Sequence, residues 1–389
     1  MNSNFYRLVF SRARNMLVAV QECAAGYGKG RQGATRAVRA TVLDAVSVAR
    51  FALPAITLAV LLLTGLPVVS LAQVVADPNA GANRPTVVQT ANGIQQVNIT
   101  RPSAAGVSTN GYTQFDVPKA GVILNNSPVV TNTQQAGYVN GNPNLLPGGS
   151  ARIIVNQVNS PTASPSQLRG YIEVAGPGAQ VVVANPNGLL VDGLGFINTT
   201  RATLTTGSPV FGGSGSLDAY RVTGGQITVQ GDGLNAVNVD QVDLIARAVQ
   251  ANAAIYGNRL SVIAGANQVD YNTLQATPIA GTGAVPAVGI DVSQLGGMYA
   301  NKIILASNEN GVGVSLRGVQ AAQAGDLTLT AQGQLILTGQ TNASGSFVAY
   351  ARDGIDNSGT TYAKGAASIN TDGTLTNSGT LAAQQWVNA

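Results

Sequence analysis

GDLTLTAQGQLILTGQTNAS (Gly325–Ser344), GSFVAYARDGIDNSGTTYAK (Gly345–Lys364) and GAASINTDGTLTNSGTLAAQ (Gly365–Gln384) follow one another end to end and share one register of 20 residues. Gly325, Gly345 and Gly365 align, as do Leu335, Ile355 and Leu375, Gly339, Gly359 and Gly379, and Ala343, Ala363 and Ala383. The later copies also share Asn-Ser-Gly-Thr, at Asn357–Thr360 and Asn377–Thr380. Such a period is too short for two helices and a turn, and helical apolar spacing is missing. Leu327/Leu329 and Leu335/Ile336/Leu337 read instead as short strands bounded by Gly, Asn and Asp. Three short strands and three turns per period make one coil of a parallel β-helix, with about six aliphatic side chains stacked inside each coil. Turn glycines are expected to supply positive φ, and Asn side chains to bond local backbone. A leucine-rich repeat would need an Asn/Leu pattern that is absent.

One such coil cannot bury enough apolar surface to order itself, so it must dock on a folded neighbour, and the first coil needs a cap. The less regular stretch from Asp77 to about Gly318 fits that role. Its strand candidates are Thr86–Val88, Gln96–Ile99, Ile153–Val155, Gln180–Val183, Gln226–Val229, Leu260–Ile263 and Lys302–Leu305, punctuated by Pro and Gly. Leu244–Asn252 reads equally as a short helix or as a strand and turn. The expected fold is therefore all-β, a right-handed parallel β-helix with an irregular N-terminal capping module. Its expected divisions are residues 1–72, 73–318 and 319–389. The period is still running at Asn388-Ala389, which predicts a longer parent chain.

Composition agrees. Only 10% of residues are charged and 5% aromatic, with 47 glycines among 389 residues, a mixture for short strands and tight turns rather than helical bundles. The net charge of +4 is misleading as an average. Residues 1–72 carry 8 Lys and Arg against 2 Asp and Glu, leaving 13 against 15 for the body, which is slightly acidic. A basic stripe with interleaved aromatics is missing, which argues against nucleic acid as a partner. The single cysteine, Cys23, lies in the basic leader, and histidine is absent. A body without cysteine forms no disulfides in an oxidising compartment, which suits a chain kept unfolded during export.

Phe51–Ala72 (FALPAITLAVLLLTGLPVVSLA) is uncharged and apolar and ends with Ser70 and Ala72 where a signal peptidase requires small residues. Cleavage is expected between Ala72 and Gln73, with Ala76 as a second possibility. A membrane-spanning helix is the alternative, since the run is long enough. Pro54, Gly65 and Pro67 interrupt it and favour the cleaved signal. The basic region ahead of it is far longer than an ordinary one. Its residues, MNSNFYRLVFSRARNMLVAVQE (Met1–Glu22) followed by a Gly/Lys/Arg patch over Gly26–Arg39, resemble the extended signal-peptide region of very large exported proteins of Gram-negative bacteria. The resemblance implies an extension that tunes export through the inner-membrane translocon.

Two tetrapeptides stand out in the body: Asn142-Pro143-Asn144-Leu145 and Asn185-Pro186-Asn187-Gly188. Each is a good turn by itself, with proline fixing φ and the leading Asn able to bond backbone two residues on. Their surroundings are GYTQFDVPKAGVILNN (Gly111–Asn126), ARIIVNQVNS (Ala151–Ser160), Leu168–Gly207, VDLIARAVQANAAIYGNRLSVIAG (Val242–Gly265) and MYANKIILASNENGVGVSLRG (Met298–Gly318). In that order these stretches resemble the two-partner-secretion domain of filamentous haemagglutinin-like exoproteins, over roughly residues 77–320. The chain is also similar to contact-dependent growth-inhibition exoproteins.

The resemblance implies a secreted or cell-surface protein that crosses the periplasm. It also implies a partner transporter, an outer-membrane β-barrel with periplasmic polypeptide-binding domains, and a module that nucleates β-helix folding outside the cell. The two NPN turns would matter for secretion, either by shaping the fold or by touching the transporter. An adhesin or a growth-inhibition toxin carrier is the implied parent, and a host or neighbouring bacterial surface is a candidate further partner.

An enzyme acting on polysaccharide is the competing class, because β-helices can carry such chemistry. The side chains are poor for it. Asp240 and Asp243 are close enough in sequence to suggest paired carboxylates, but a solvated turn pair is the expected reading. Gly212–Leu217 lacks the aspartate of a calcium-binding nonapeptide and reads as a flexible loop. No catalytic residue, cofactor site or metal site is expected.

Overall fold

The computed structural model describes residues 6–11, 16–21 and 73–389. The expected signal segment, with Ala72 itself, and also Cys23 and the Gly26–Arg39 patch, lie outside the described residues. Two compact units are distinguished, Met1–Val68 and Val69–Ala389. In the first, strands Tyr6–Ser11 and Met16–Gln21 pair antiparallel, with Ser11 opposite Met16.

The second unit is a parallel β-helix of three long sheets. Sheet 1 has 12 strands, sheet 2 has 9 and sheet 3 has 12. The chain visits them in rotation. Ile153–Val158 lies in sheet 1, Ser166–Leu168 in sheet 2 and Tyr171–Ala175 in sheet 3, and the circuit restarts with Ala179–Ala184 in sheet 1. Every strand candidate from the sequence coincides with a strand, except that the strand at Gln96–Ile99 runs from Gln95 to Asn98 and leaves Ile99 just beyond its end. Leu244–Asn252 resolves as strand and turn, Gln241–Ala246 in sheet 1 and Ala248–Ala251 in sheet 2. Among the described residues no helix is long and apolar enough to cross a membrane.

The first coil is closed by antiparallel strands. Val74–Ala76 lies along Val107–Phe115, and Thr86–Gln89 lies along Gln95–Asn98, which itself runs parallel to Val122–Asn125. These strands occupy the first places in sheets 1 and 3, so the first parallel strands gain partners instead of open edges.

The 20-residue register begins where the sequence places it, with Leu327 paired to Phe347 and Phe347 to Ala367. Leu327, Leu329, Ala331, Leu335, Leu337 and Ala343 are the buried apolar side chains of one coil, matching the expected half-dozen. Two details differ from expectation. The repeating glycines do not adopt positive φ; they stand where successive coils touch. A Cβ at Gly339 would lie 2.0 Å from the Gly318 carbonyl oxygen, and one at Gly359 would lie 2.2 Å from that of Gly339. Asn357, expected to bond turn backbone, instead points inward. It is fully buried, donates to Asn377 Oδ1 at 2.7 Å and to the Thr380 carbonyl at 3.1 Å, and accepts from Thr361 Oγ1 at 3.1 Å.

The glycine ladder carries a prediction. Gly359→Ala should force the coils apart locally and cost about 1–3 kcal/mol, because the obstacle is backbone rather than a side chain that can rotate away. Amide hydrogen exchange should accelerate over residues 355–383 and stay unchanged around 153–200. Uniform protection in the variant would show that the coils tolerate the methyl group.

A second apolar layer lies outside the coils, built from segments that carry no repeat or motif of their own. Ser208–Phe211, Leu217–Val222, Asn267–Asp270 and Ala276–Pro278 form a four-stranded antiparallel sheet outside the helix. It covers the outer face of sheet 1, where Leu217, Tyr220, Val222, Val269 and Tyr271 pack on Val155, Val182, Ile245 and Ile263. The stretch expected to be a flexible loop, Gly212–Leu217, is the tip of its first hairpin, closed by Gly212 N–H donating to the Ser216 carbonyl at 2.9 Å.

Candidate functional site: the two NPN turns and the covering sheet

Both NPN motifs fold into the same double turn. In each, the leading Asn side chain accepts from the amide two residues on, and its carbonyl accepts from the amide three residues on. Asn142 Oδ1 accepts from Asn144 N–H at 2.9 Å, and Asn142 O from Leu145 N–H at 3.2 Å. Asn185 Oδ1 accepts from Asn187 N–H at 3.0 Å, and Asn185 O from Gly188 N–H at 3.0 Å. Both leading asparagines are buried, while Pro143 and Pro186 are exposed at the tips.

The asparagines reach across the structure. Asn142 Nδ2 donates to the Ile99 carbonyl at 2.9 Å and to the Asn125 carbonyl at 2.8 Å, tying together the ends of two sheet 3 strands near the cap. Asn144 Nδ2 adds bonds to the Asn98 and Ile99 carbonyls at 3.2 Å each. Leu145 inserts into the main core. In the second motif Asn185 Nδ2 donates to the Ser164 carbonyl and to Ser166 Oγ, both at 3.1 Å, and Asn187 Nδ2 to the Ser160 carbonyl at 2.9 Å. Gly188 sits at φ +119°, with the Gln226 carbonyl oxygen 3.0 Å from where a Cβ would be, so glycine is required there for both reasons. No hydrogen bond joins one motif to the other among the described residues; each pins its own corner of the coil stack.

Gln73, the residue after the expected cleavage point, is exposed, and its carbonyl accepts from Asp116 N–H at 3.1 Å. It is the first described residue of the second unit.

Several polar residues of equal weight carry no sequence motif. Asn126 is fully buried, donates to the Ala151 and Pro177 carbonyls, and accepts from Ala151 N–H at 2.7 Å. The Glu173 carboxylate, also buried, accepts from the amides of Gln134 and Gln135 at 2.6 and 2.9 Å and fastens the small hairpin Thr131–Val139 to sheet 3. The one available signal is position: polar residues that close or interrupt an apolar run, as in Val-Ile-Leu-Asn-Asn over 122–126.

The carboxylate pair suggested at Asp240 and Asp243 is not a solvated turn pair. Asp240 is exposed, but Asp243 is fully buried on the outer face of sheet 1, beneath the covering layer. It accepts from Arg201 Nε at 2.7 Å, Gln241 Nε2 at 3.0 Å and Thr203 Oγ1 at 3.3 Å. The Arg201 guanidinium lies 4.6 Å above the Tyr271 ring. Burial disfavours its charge, but the Asp243 carboxylate more than offsets this and holds the guanidinium pKa above its ordinary value. A second pair, Arg247 and Glu309, is bidentate at 3.0 and 2.7 Å, and the hydrogen bonds from Arg247 hold the Glu309 carboxyl below its usual range. Both pairs brace the structure. Among the described residues no cluster of three or more acidic, Cys or His side chains could hold a metal ion.

A capped β-helix with these turns invites comparison with known proteins, and the family described as "TPS secretion domain" matches residues 72–337. The chain belongs to the two-partner-secretion domain family. The family described as "Extended Signal Peptide of Type V secretion system" matches residues 1–50. Among curated relatives, "tRNA nuclease CdiA-2" of Burkholderia pseudomallei is 58% identical over 347 residues, covering 88% of this chain and 11% of that protein. "Toxin CdiA" of Yersinia pestis is 46% identical over 368 residues, covering 94% and 11%. This chain therefore spans about a tenth of the length of the curated relatives it matches. A crystal structure of the filamentous haemagglutinin secretion domain superposes with a TM-score of 0.63 at 32% identity, covering 81% of this chain and 99% of that one. A two-partner-secretion domain behind an extended signal peptide is exported through the periplasm to the cell surface.

Proposed function

We propose that this two-partner-secretion chain is the N-terminal secretion module of a far larger contact-dependent growth-inhibition exoprotein. Residues 1–72 serve as the leader, removed between Ala72 and Gln73 by signal peptidase after passage through the inner-membrane translocon. Residues 73–318 are recognised in the periplasm by the polypeptide-binding domains of an outer-membrane transporter. Residues 319–389 are the first repeats of the shaft, whose coils fold on that module outside the cell. The observation that carries this reading is the asymmetry of the coil stack. One end is closed by antiparallel strands and pinned by Asn142, while the regular 20-residue coils follow in register at the other. Folding is thereby given a starting point and a direction.

The module itself is not catalytic on this reading, since Asp243 is engaged by Arg201, Gln241 and Thr203. Any toxin activity, and any binding of a target cell, belongs to other parts of the parent. The test is to express the chain ahead of a passenger, with and without its partner outer-membrane transporter. The passenger should reach the surface only when the transporter is present, and a version lacking residues 73–318 should remain in the periplasm. Equal surface yield without the transporter would refute the assignment, and release of oligosaccharide from bacterial or host glycans by the purified chain would revive the enzymatic reading.

A further inference from the structure

A groove runs along the coil axis at the corner between sheets 2 and 3. Val319, Gln340, Thr360 and Thr380 stand side by side on consecutive strands of sheet 3 and form one wall, with Thr338 and Ser358 opposite them across a backbone floor. The groove holds about 500 Å³. Next in line beyond Val319 is Gly297, and there the Tyr299 ring folds back over its own strand. A Cβ on Gly297 would lie 2.7 Å from Tyr299 Cε2. Tyr256, on the strand before, stacks on Tyr299 with ring centroids 5.1 Å apart and planes at 18°. An aromatic ring steadied by a second one therefore heads a line of polar side chains.

Those side chains are free to bind. Thr341 and Thr361, on the inward side of the same strands, bond to Gln320 and Asn357. Gln340, Thr360 and Thr380 face outward and exposed, and among the described residues their side chains make no hydrogen bond within the chain. Arg317 is the one charged residue lining the groove, and its Nη2 donates to both Asp291 carboxylate oxygens at 2.9 Å, which neutralises it. The matching ligand is thus uncharged, rich in hydroxyls and straight. A peptide strand does not match, because the groove's amides are spent between coils. Gln340, Thr360 and Thr380 N–H donate to the Gly318, Gly339 and Gly359 carbonyls at 3.0, 2.9 and 2.8 Å and leave no ladder to extend.

We infer that this groove binds an extended, uncharged glycan, with Tyr299 as its stacking platform and Gln340, Thr360 and Thr380 as its hydrogen-bonding side chains. The hydroxyls of a sugar pair with these side chains, and the apolar C–H face of a pyranose ring packs on the tyrosine ring. Strands of the sheet stand about 4.8 Å apart, close to the rise of one pyranose unit in an extended chain, so successive sugars meet successive coils in register. The chain is exported to the surface of the cell that makes it, and the glycan is accordingly one of that cell's own envelope. No carboxylate lines the groove, so the glycan is held and not cleaved. The transporter has no part in this binding, so secretion and glycan binding can fail separately.

The test titrates the exported chain by calorimetry with chitotetraose, an extended β-linked tetrasaccharide, and with maltotetraose, whose α-linked chain curves. Chitotetraose should bind and maltotetraose should not. Binding should be equal in about 0.05 M and about 0.5 M salt, because no charge takes part. Tyr299→Leu should weaken it about fivefold. Thr360→Val and Gln340→Ala should each weaken it about threefold, and Thr360→Val keeps a β-branched side chain on its strand, so the fold is retained. Thr328→Val, the same change on sheet 1, should leave binding unaltered. Polysaccharide released from the producing strain should be retained by the immobilised chain and eluted by chitotetraose. Absence of chitotetraose binding, equal binding of both tetrasaccharides, loss of binding in salt, or binding that survives both Tyr299→Leu and Thr360→Val overturns the site. Failure to retain the producing strain's polysaccharide overturns its assignment to that cell's own envelope.

Discussion

Asn142→Ala should destabilise the purified chain by about 3 kcal/mol and lower its melting temperature by roughly 5–10 °C. The side chain is buried and makes three good bonds, and its loss strands the Asn125 carbonyl and the Asn144 amide without their partner. Ile99 keeps one donor, Asn144 Nδ2, so the loss there is smaller. Asn142→Asp should be worse than alanine, since it replaces the amide that donates to two carbonyls with a charge that repels them. Asn185→Ala should fall in the same direction with a smaller effect, because one of its two acceptors, Ser166 Oγ, is a hydroxyl that keeps its own proton to donate and loses less than a carbonyl when Asn185 Nδ2 is removed. All this is measured without any transporter present, which separates folding from recognition. The exposed tips test recognition: Pro143→Ala and Pro186→Ala leave every Asn bond in place. If melting is unchanged and secretion falls, the transporter reads the turns. If secretion is also unchanged, the motifs act through the fold alone.

The coil repeat was legible because a β-helix imposes one spacing on everything that faces inward. Leu335, Ile355 and Leu375 must align for the core to stack, and the sequence records that alignment directly. The NPN turns were legible for a local reason, the fixed φ of proline beside an Asn that bonds backbone two residues on. What escaped was long-range. The covering sheet is built from segments 208–222 and 267–278, which interrupt the coil order and carry no period of their own. Its trace lies in the strands it covers: Ile153–Val155 and Val181–Ala184 are apolar at consecutive positions, so both faces of sheet 1 are dry there. Alternation alone would have left the outer face polar. For the same reason Asp243 reads in the sequence as a surface residue, since nothing local distinguishes an outward carboxylate in water from one beneath a second layer.

That buried carboxylate has the other large expected effect. Asp243→Ala should cost about 3–5 kcal/mol, because it leaves the Arg201 cation with little water and no counter-charge. The guanidinium has only 13% of its side chain exposed, and the Tyr271 ring above it offers a partial and weaker attraction. The damage should be local at first. Tyr271 stacks edge-on against Tyr220 with ring centroids 6.2 Å apart, so a displaced Arg201 disturbs the apolar contacts that hold the covering sheet to sheet 1. Limited proteolysis should then cut within residues 208–222 and 267–278 while the coils from 327 onward stay resistant. Replacing both partners, Arg201→Met with Asp243→Leu, should recover most of the stability, since matched apolar side chains avoid the desolvation that the ion pair has to overcome. A double variant as unstable as Asp243→Ala would mean that the hydrogen bonds from Thr203 and Gln241 to the carboxylate, rather than its charge, keep the outer face of sheet 1 ordered beneath the covering sheet.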